Sequence, residues 1–373
     1  MILLLILPAG LCLYILSIIY RKLWSRNLSV TLSFDSEAVY AGGSAVLYEV
    51  IENRKRLPVP FLEIGFRIQK GLSLPDAENT STSDYIYKRD LFSLLGMEQI
   101  KRRYTASCPK RGCYSFSQQE ISCHSLLFQY IYKEEFSSDD RLYVYAARTD
   151  ISGILPVFES LYGEQESARH YFEDPFAFSG IRSYTIQDPM KTINWKASAK
   201  TGELMVNTYA SVLSSQIMIY LDVGDRFLLK KHDLLEEGIA TAATLLRRML
   251  GEGMEAGILV NAESPFYLPP ARGSGQLSSI EQFLTEDFSN MDLMDFGECL
   301  KAAPSLEGDS SVFPVFISIN ADETMKQQII DLLGKDLHGL WIVPVEEGAD
   351  ITVTSGPNLT IMKKVLPNEK HYA

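Results

Sequence analysis

The chain begins with an unbroken apolar segment. Residues 2–20 hold nineteen consecutive uncharged residues, twelve of them Leu or Ile. A helix of this length just spans a hydrocarbon core about 30 Å thick. The pattern therefore predicts a transmembrane anchor within residues 1–20. The alternative is a cleaved signal peptide, which calls for a basic start and a small-residue cleavage site that this segment lacks.

The charges around this segment predict an orientation. No Lys or Arg precedes it, whereas Arg21, Lys22 and Arg26 follow it closely. Because basic residues favour the inner side of a membrane, we expect a single-pass protein of the cell membrane with its C-terminal bulk in the cytoplasm.

The region 28–148 shows the period-two alternation of half-buried strands. Residues 28–34 alternate apolar and polar positions, Gly42 and Gly43 mark a turn, and short strands follow at 101–106, 112–116 and 142–145. Strands of this length and spacing predict an immunoglobulin-like β-sandwich.

The region 213–373 has a different period. Residues 216–222 form an apolar run ending in Asp222, as in a buried parallel strand, and 234–250 carry apolar positions at helical spacing. Glu236 and Glu237 on that helix are interpreted as its solvated face. Further strands alternate with helices, which predicts a Rossmann-like α/β domain. No glycine-rich phosphate-binding motif accompanies its first strand.

Composition narrows the choice of partners. The net charge is −12 and the sequence pI is near 5.0, so nucleic acid is not expected as a partner. Among the few cysteines, Cys108, Cys113 and Cys123 with His124 suggest a zinc site. They lack the paired spacing of zinc knuckles, and structural thiols are the favoured interpretation.

A segment within 149–212, between the two regions, carries a family resemblance. Residues 173–184 and 187–206 contain an Arg-x-Tyr at Arg182 and an Ile-x-Trp-x-Ala-Ser-Ala-Lys block from Ile193 to Lys200. This segment resembles the hallmark of the bacterial family called domain of unknown function 58. Two positions depart from the family pattern: Gln187 precedes Asp188 where Gly is usual, and Lys200 replaces Arg.

The resemblance implies a fold and partners. Proteins of this family are membrane-anchored and have a C-terminal domain similar to von Willebrand factor type A domains. Their genes commonly lie beside those of a MoxR-type AAA+ ATPase and a transglutaminase-like membrane protein. The resemblance therefore implies an adaptor with no established catalytic activity, and these two proteins as possible partners.

A metal-binding von Willebrand A domain carries Asp-x-Ser-x-Ser after its first strand. The matching residues here are Asp222, Gly224 and Arg226. Both hydroxyl ligands are missing, and Arg226 brings a cation to the place of the ion. We therefore interpret this position as a degenerate metal site and expect no metal and no cofactor.

The hallmark segment offers a second candidate site. If it is extended, Ile193, Trp195, Ala197 and Ala199 share one face. Trp195 then either packs between the domains or contributes to a docking surface. The candidate partner-binding residues lie on this segment and include a basic strip: Arg182, Asp188, Lys191, Asn194, Trp195, Lys196, Ser198 and Lys200. Asp188 is expected to pair with Arg182 and fix the loop geometry.

These observations predict a multidomain α+β chain. Its parts are a transmembrane anchor (1–20), an immunoglobulin-like β-sandwich (28–148), a connecting segment with the hallmark (149–212) and a Rossmann-like, von Willebrand A-like α/β domain (213–373). The expected function is a membrane-anchored scaffold without catalysis, bound to partner proteins in envelope-related maturation. A metal-dependent hydrolase that uses Asp222 and neighbouring carboxylates is the alternative.

Overall fold

A computed structural model describes most of the chain. The described residues are 2–74, 80–82, 85–125, 128–169, 178–186, 188, 190–209, 216–302, 311–334 and 337–366. Residues 173–177 of the hallmark segment and Gln187 lie outside this set.

The chain divides into two compact units. The first comprises residues 1–148 with 281–287 and 372–373, and the second comprises 149–280 with 288–371. Each unit has its own sheets and its own core.

The first unit is built from strands. One sheet has the order β1-β3-β7, and the second has the order β2-β10-β8-β4-β6-β5 with β9 added to β8. Leu32 and Leu47 of the first sheet share a buried core with Phe66 of the second, so the two sheets form a sandwich. The elements of this unit are α1 (Ile2–Leu23), β1 (Leu28–Phe34), β2 (Ala38–Tyr40), β3 (Gly43–Asn53), β4 (Val59–Gln69), β5 (Thr80–Thr82), β6 (Tyr85–Leu94), β7 (Glu98–Cys108), β8 (Gly112–His124), β9 (Ile131–Glu135) and β10 (Arg141–Tyr145).

The second unit holds a six-stranded sheet covered by helices, and a separate hairpin of β11 and β12. The 3-10 turns are Met190–Thr192 and Phe288–Asn290. Its helices and strands are α2 (Leu155–Arg169), β11 (Phe178–Ser183), α3 (Trp195–Thr201), β12 (Met205–Tyr209), β13 (Gln216–Leu221), α4 (His232–Gly251), β14 (Glu255–Val260), β15 (Phe266–Ala271), α5 (Ser274–Phe283, whose last residues count with the first unit), α6 (Phe296–Ala302), β16 (Val312–Ile317), α7 (Glu323–Leu333), β17 (Gly339–Val345) and β18 (Leu359–Val365).

The order of the six strands creates a crevice. It is β15-β14-β13-β16-β17-β18, with all neighbours parallel except β14 and β15. The chain leaves β13 toward β14 on one side and later returns to β16 on the other. Such a reversal opens a crevice at the carboxyl ends of the two central strands, where open α/β sheets bind ligands.

The hallmark segment forms a small module. We use the name hallmark module for the described residues between 178 and 209. Strands β11 and β12 pair antiparallel, and Ile193 bridges to Val206. Residues 195–201 form helix α3, so the condition of an extended segment around Trp195 is not met. Asn194 caps that helix at its N-terminus, and Gly202 ends it with a left-handed φ of 80°.

The predicted fold class and localisation are wrong. Across the part of the chain that the structure describes, no helix has both the length and the apolar character to cross a membrane. The residues that the structure describes are sheet-rich, with 40% in strands against 27% in helices. Tyr20 at the end of the apolar segment and Trp24 after it are buried in the sandwich core, and the Tyr20 hydroxyl lies 3.2 Å from Cys123 Sγ. Neither the single-pass anchor nor the cytoplasmic placement derived from it is supported.

Candidate functional site

Four polar side chains meet in the crevice of the second unit. Asp222 follows β13, Asn261 follows β14, and Ser318 and Asn320 follow β16. The carboxyl ends of parallel strands lie at one edge of a sheet, so these side chains converge. All four are buried, and Asp222 is only 3% exposed.

The Asp222 carboxylate accepts four hydrogen bonds. Its Oδ1 accepts from Asn261 Nδ2 at 2.8 Å and from the Gly224 amide at 2.9 Å. Its Oδ2 accepts from Ser318 Oγ at 2.7 Å and from Asn320 Nδ2 at 2.9 Å. Each donor is neutral, so the carboxylate is satisfied by dipoles rather than by a cation.

The donors are themselves held in place. Asn261 Oδ1 accepts from the Val223 amide at 2.8 Å, and Asn320 Nδ2 also donates to the Gly224 carbonyl at 2.6 Å. The backbone amide of Asn320 donates to Ser318 Oγ at 3.0 Å. These bonds fix both amide groups with their donors toward Asp222. The network joins the ends of three strands to the loop that follows β13.

The residues at this position do not fit a magnesium site. Burial raises the pKa of Asp222, which the four hydrogen bonds oppose. Gly224 lacks a ligand atom, and a Cβ there would lie 3.0 Å from Asp222 Oδ1. The Arg226 guanidinium lies nearby, where it pairs with Asp295 at 2.6 Å. Both carboxylate oxygens of Asp222 are thus occupied by protein donors, and no step through a metal follows.

A cavity of about 360 Å³ opens beside this network. Asp222 and Asn261 form part of its lining, Arg226 and Lys230 add cations, and Phe288 and Met294 add apolar surface. All of these residues belong to the second unit. The cavity has room for one or two side chains of another molecule.

In the hallmark module, the predicted pairing of Arg182 with Asp188 is confirmed. The guanidinium donates from Nη1 and Nη2 to the two carboxylate oxygens at 2.7 and 2.5 Å. The Thr185 amide also donates to Asp188 Oδ2 at 2.7 Å. Hydrogen bonding from Arg182 holds the pKa of Asp188 well below its usual range. This clasp fixes the turn that follows β11.

Two of the candidate binding residues bond within the module. Asn194 Oδ1 accepts from the Ala197 amide at 2.9 Å, and Asn194 Nδ2 donates to Asn207 at 2.7 Å. Ser198 Oγ donates to the Asn194 carbonyl and accepts from the Met205 amide, both at 2.8 Å. Asn194 and Ser198 therefore attach helix α3 to strand β12.

The remaining candidates face solvent. Trp195 is 66% exposed. Lys191, Lys196 and Lys200 are exposed, and no carboxylate of the described residues lies within ion-pair distance of them. Other large apolar side chains of the module are exposed as well: Ile181, Ile186, Met190 and Leu204.

The three cysteines of the predicted zinc site lie in strands β7 and β8 of the first unit. Cys108 and Cys123 are buried, and Cys113 is half-buried. Burial raises the pKa of Cys108 to about 11. In the part of the chain that the structure describes, His, Cys, Asp and Glu form no group of three that could hold a metal.

Sequence reasoning found Asp222 but missed its three side-chain partners. The signal was present, since Asn261, Ser318 and Asn320 each follow a buried apolar run within three residues. Polar residues at that place in neighbouring parallel strands converge on one edge. Which of them face the same carboxylate depends on strand order, and strand order was not predicted.

Comparison with known proteins identifies the family. The model of the family described as "Protein of unknown function DUF58" matches residues 180–324. Residues 180–324 of the chain are a DUF58 region. The matched region runs from Gly180 in β11 to Thr324 in α7, so it includes most of the hallmark module and the whole Asp222 network.

A curated relative supports this DUF58 assignment. It is the uncharacterized protein YeaD of Bacillus subtilis (strain 168), 21% identical over 233 residues. The match covers 62% of this chain and 56% of the relative, so the chain spans about half the length of that protein.

Solved structures show only weak likeness to this DUF58 chain. The CARDB domain of PF1109 from Pyrococcus furiosus is 15% identical, with 31% of this chain and 86% of that domain covered and a TM-score of 0.21. A non-cellulosomal cohesin from Archaeoglobus fulgidus is 11% identical, with 40% and 99% covered and a TM-score of 0.23. Scores this low carry no argument about function. None of these comparisons supports the predicted von Willebrand A-like label.

Proposed function

We propose that this protein is a non-catalytic scaffold that binds a partner protein through the hallmark module. The observation that carries the proposal is the outer surface of helix α3. It exposes Trp195 beside Lys196 and Lys200, while Asn194 and Ser198 bond to strand β12 on the other side of the helix. Tryptophan is one of the residue types enriched among the side chains that dominate binding energy at protein interfaces.

Charge indicates the kind of partner. The whole chain carries −12, yet the described part of the hallmark module has four cations and only two carboxylates, Asp188 and Glu203. Arg182 already pairs with Asp188, which leaves the three lysines to face outward. An acidic protein surface with an apolar groove for Trp195 complements this arrangement.

The crevice supports a role without catalysis. A general base or metal ligand needs a free oxygen toward its substrate or ion, but both oxygens of Asp222 accept two internal bonds each. The alternative prediction, a metal-dependent hydrolase, would be favoured by a tightly bound divalent ion in the purified protein that is lost in Asp222→Ala.

The family resemblance suggests the partner. A MoxR-type AAA+ ATPase and a transglutaminase-like membrane protein are the candidates, and the ATPase is the one we propose for the hallmark module. The work of the complex would be maturation of envelope proteins.

Affinity capture followed by mass spectrometry tests the proposal. The full chain is captured with and without a non-hydrolysable ATP analogue, as wild type, Trp195→Ala, Lys196→Glu and Lys70→Glu. Lys70 is an exposed lysine of the first unit and serves as the matched control. We expect the ATPase with wild type and Lys70→Glu, and its loss with the two hallmark variants. Equal recovery with all four proteins, or no ATPase with any, contradicts the proposal.

A further inference from the structure

The loop between β13 and α4 exposes three consecutive apolar residues. Leu228 is 100% exposed, Leu229 is 82% exposed, and Phe227 is also exposed. We call residues 227–229 the apex. Full exposure of two adjacent leucines costs solvation free energy, and such surfaces mark interaction sites when they are grouped.

The rest of the loop is held in place, so the apex is a fixed projection. Asp225 Oδ1 accepts from the Phe227 amide at 2.9 Å, and its Oδ2 accepts from the Lys231 amide at 2.5 Å. On the crevice side, the Arg226 amide donates to Asn320 Oδ1 at 3.2 Å. The same Asn320 donates to Asp222, so the buried network supports the base of the apex.

Lys230 is an exposed cation next to the apex. The carboxylates of Asp222 and Asp225 accept hydrogen bonds inside the loop and its crevice, and the exposed carboxylates of Asp295 and Glu346 pair with Arg226 and Lys231. Lys230 Nζ bonds to a backbone carbonyl, that of Asp225, at 2.5 Å. The apex is therefore an apolar projection beside a positive charge, on a chain whose net charge is −12.

We propose that the apex is a second docking element of this chain, which inserts into an apolar groove bordered by carboxylates on a partner protein. The cavity beside Asp222 lies on the same edge of the sheet, with Lys230 in its lining, and would take an apolar side chain of that partner. The proposal is independent of the hallmark module. A protein that used both elements would hold its partner at two places.

A defined peptide probes this chemistry. The probe is a fluorescein-labelled, 18-residue amphipathic helix with Leu on one face and Glu elsewhere, and its counterpart has Lys in place of every Glu. Fluorescence anisotropy follows their binding to the full chain as wild type, Leu228→Ser/Leu229→Ser, Lys230→Glu and Leu95→Ser. Leu95 is an exposed leucine of the first unit, outside both docking elements, and serves as the matched control.

We expect the acidic peptide to bind wild type, and the double serine variant to bind it at least about tenfold more weakly. Lys230→Glu should weaken the same binding, Leu95→Ser should leave it unchanged, and the basic peptide should bind weakly to all. Equal affinity in wild type and the double variant, equal affinity for both peptides, or no binding by wild type overturns the proposal. Binding of wild type to anionic lipid vesicles that is lost in the double variant would assign the apex to lipid and also overturn it.

Discussion

In the first unit, the buried carboxylates of Glu49 and Asp90 face cations, whereas the buried carboxylate of Asp222 in the second unit faces only neutral donors. Lys88, which is 1% exposed, contacts Asp90 and lies beside the Tyr104 ring in the interior of the sandwich. Its Nζ donates to the Tyr104 hydroxyl at 3.0 Å, and that hydroxyl lies 3.1 Å from Glu49 Oε2.

The two units stabilise a buried carboxylate in different ways. An ion pair requires two groups to lose their water, so it stabilises only when the geometry is complete. Burial raises the pKa of Glu49 and lowers that of Lys88 to about 8. Asp222 needs no second ion, because strand ends and their amides supply the donors. The first arrangement specifies a core, and the second fixes the edge of a sheet that carries the apex.

Removal of the lysine should have the largest effect. Lys88→Met removes the buried cation from beside Glu49 and Asp90 and leaves only the half-exposed Arg102, 3.6 Å from Asp90. We expect a loss of about 3–5 kcal/mol in the free energy of unfolding. Chemical denaturation measures it. The control replaces the whole cluster with apolar residues (Glu49→Leu, Lys88→Met, Asp90→Leu and Tyr104→Phe), which should recover most of the loss. If Lys88→Met alone is neutral, the ionic account of this core is wrong.

Loss of the Asp222 carboxylate should cost somewhat less. Asp222→Ala leaves four buried donors without an acceptor, and we expect about 2–4 kcal/mol of destabilisation. Thermal and urea unfolding measure it against Asp292→Ala, an exposed aspartate of the same unit that should change by less than about 0.5 kcal/mol. Unchanged stability in Asp222→Ala would show that the carboxylate is kept for chemistry rather than for the fold.

The helix cap gives a smaller, local effect. Asn194→Ala removes the acceptor of the Ala197 amide, and we expect about 1 kcal/mol less protection of the α3 amides from hydrogen exchange. Lys196→Ala, at an exposed position of the same helix, is the control and should leave the exchange nearly unchanged. Equal exchange in the two variants would mean that the cap does not hold the helix.

The pH dependence of the Arg182–Asp188 clasp should be the smallest effect. The pKa of the Asp188 carboxyl is lowered in the folded chain from its ordinary value of 3.8. The carboxylate therefore stabilises the fold at pH values above 3.8, and this contribution is lost as the pH falls toward the lowered pKa. Hydrogen exchange of the Thr185 amide, which donates to Asp188, reports it.

We expect Thr185 to stay protected at pH 4 and to lose protection only well below pH 3.8. In Asp188→Asn, protection should be weaker at every pH and independent of acid in this range. A midpoint at the ordinary value in wild type would show that Arg182 does not bind the carboxylate in solution.

Much of the α/β unit was visible in the sequence. The apolar run at 216–222 and the helical spacing at 234–250 are confirmed as β13 and α4. Buried parallel strands and amphipathic helices are set by local patterns, which one sequence displays. The pairing of Arg182 with Asp188 was also found, because the two residues are only six positions apart.

The conformation of the segment around Trp195 and the burial of Glu237 could not be read from hydrophobic periodicity. The alternation at Ile193, Trp195 and Ala197 suggested an extended strand, but the Asn194 cap and Gly202 select a helix. Glu237 was interpreted as solvated, yet it is fully buried, where the Thr149 hydroxyl bonds to it and Lys364 lies 3.6 Å away. Partners so distant in sequence come together only through the order of the strands.

We propose that the hallmark module binds an acidic partner through Trp195 and its lysines. An isothermal titration of the purified full chain with the purified MoxR-type ATPase from the same organism tests this binding. We predict an affinity that weakens about tenfold or more in Trp195→Ala and falls with rising salt, with Lys70→Glu unchanged. Equal affinity in wild type and Trp195→Ala, or no heat of binding at all, would contradict it.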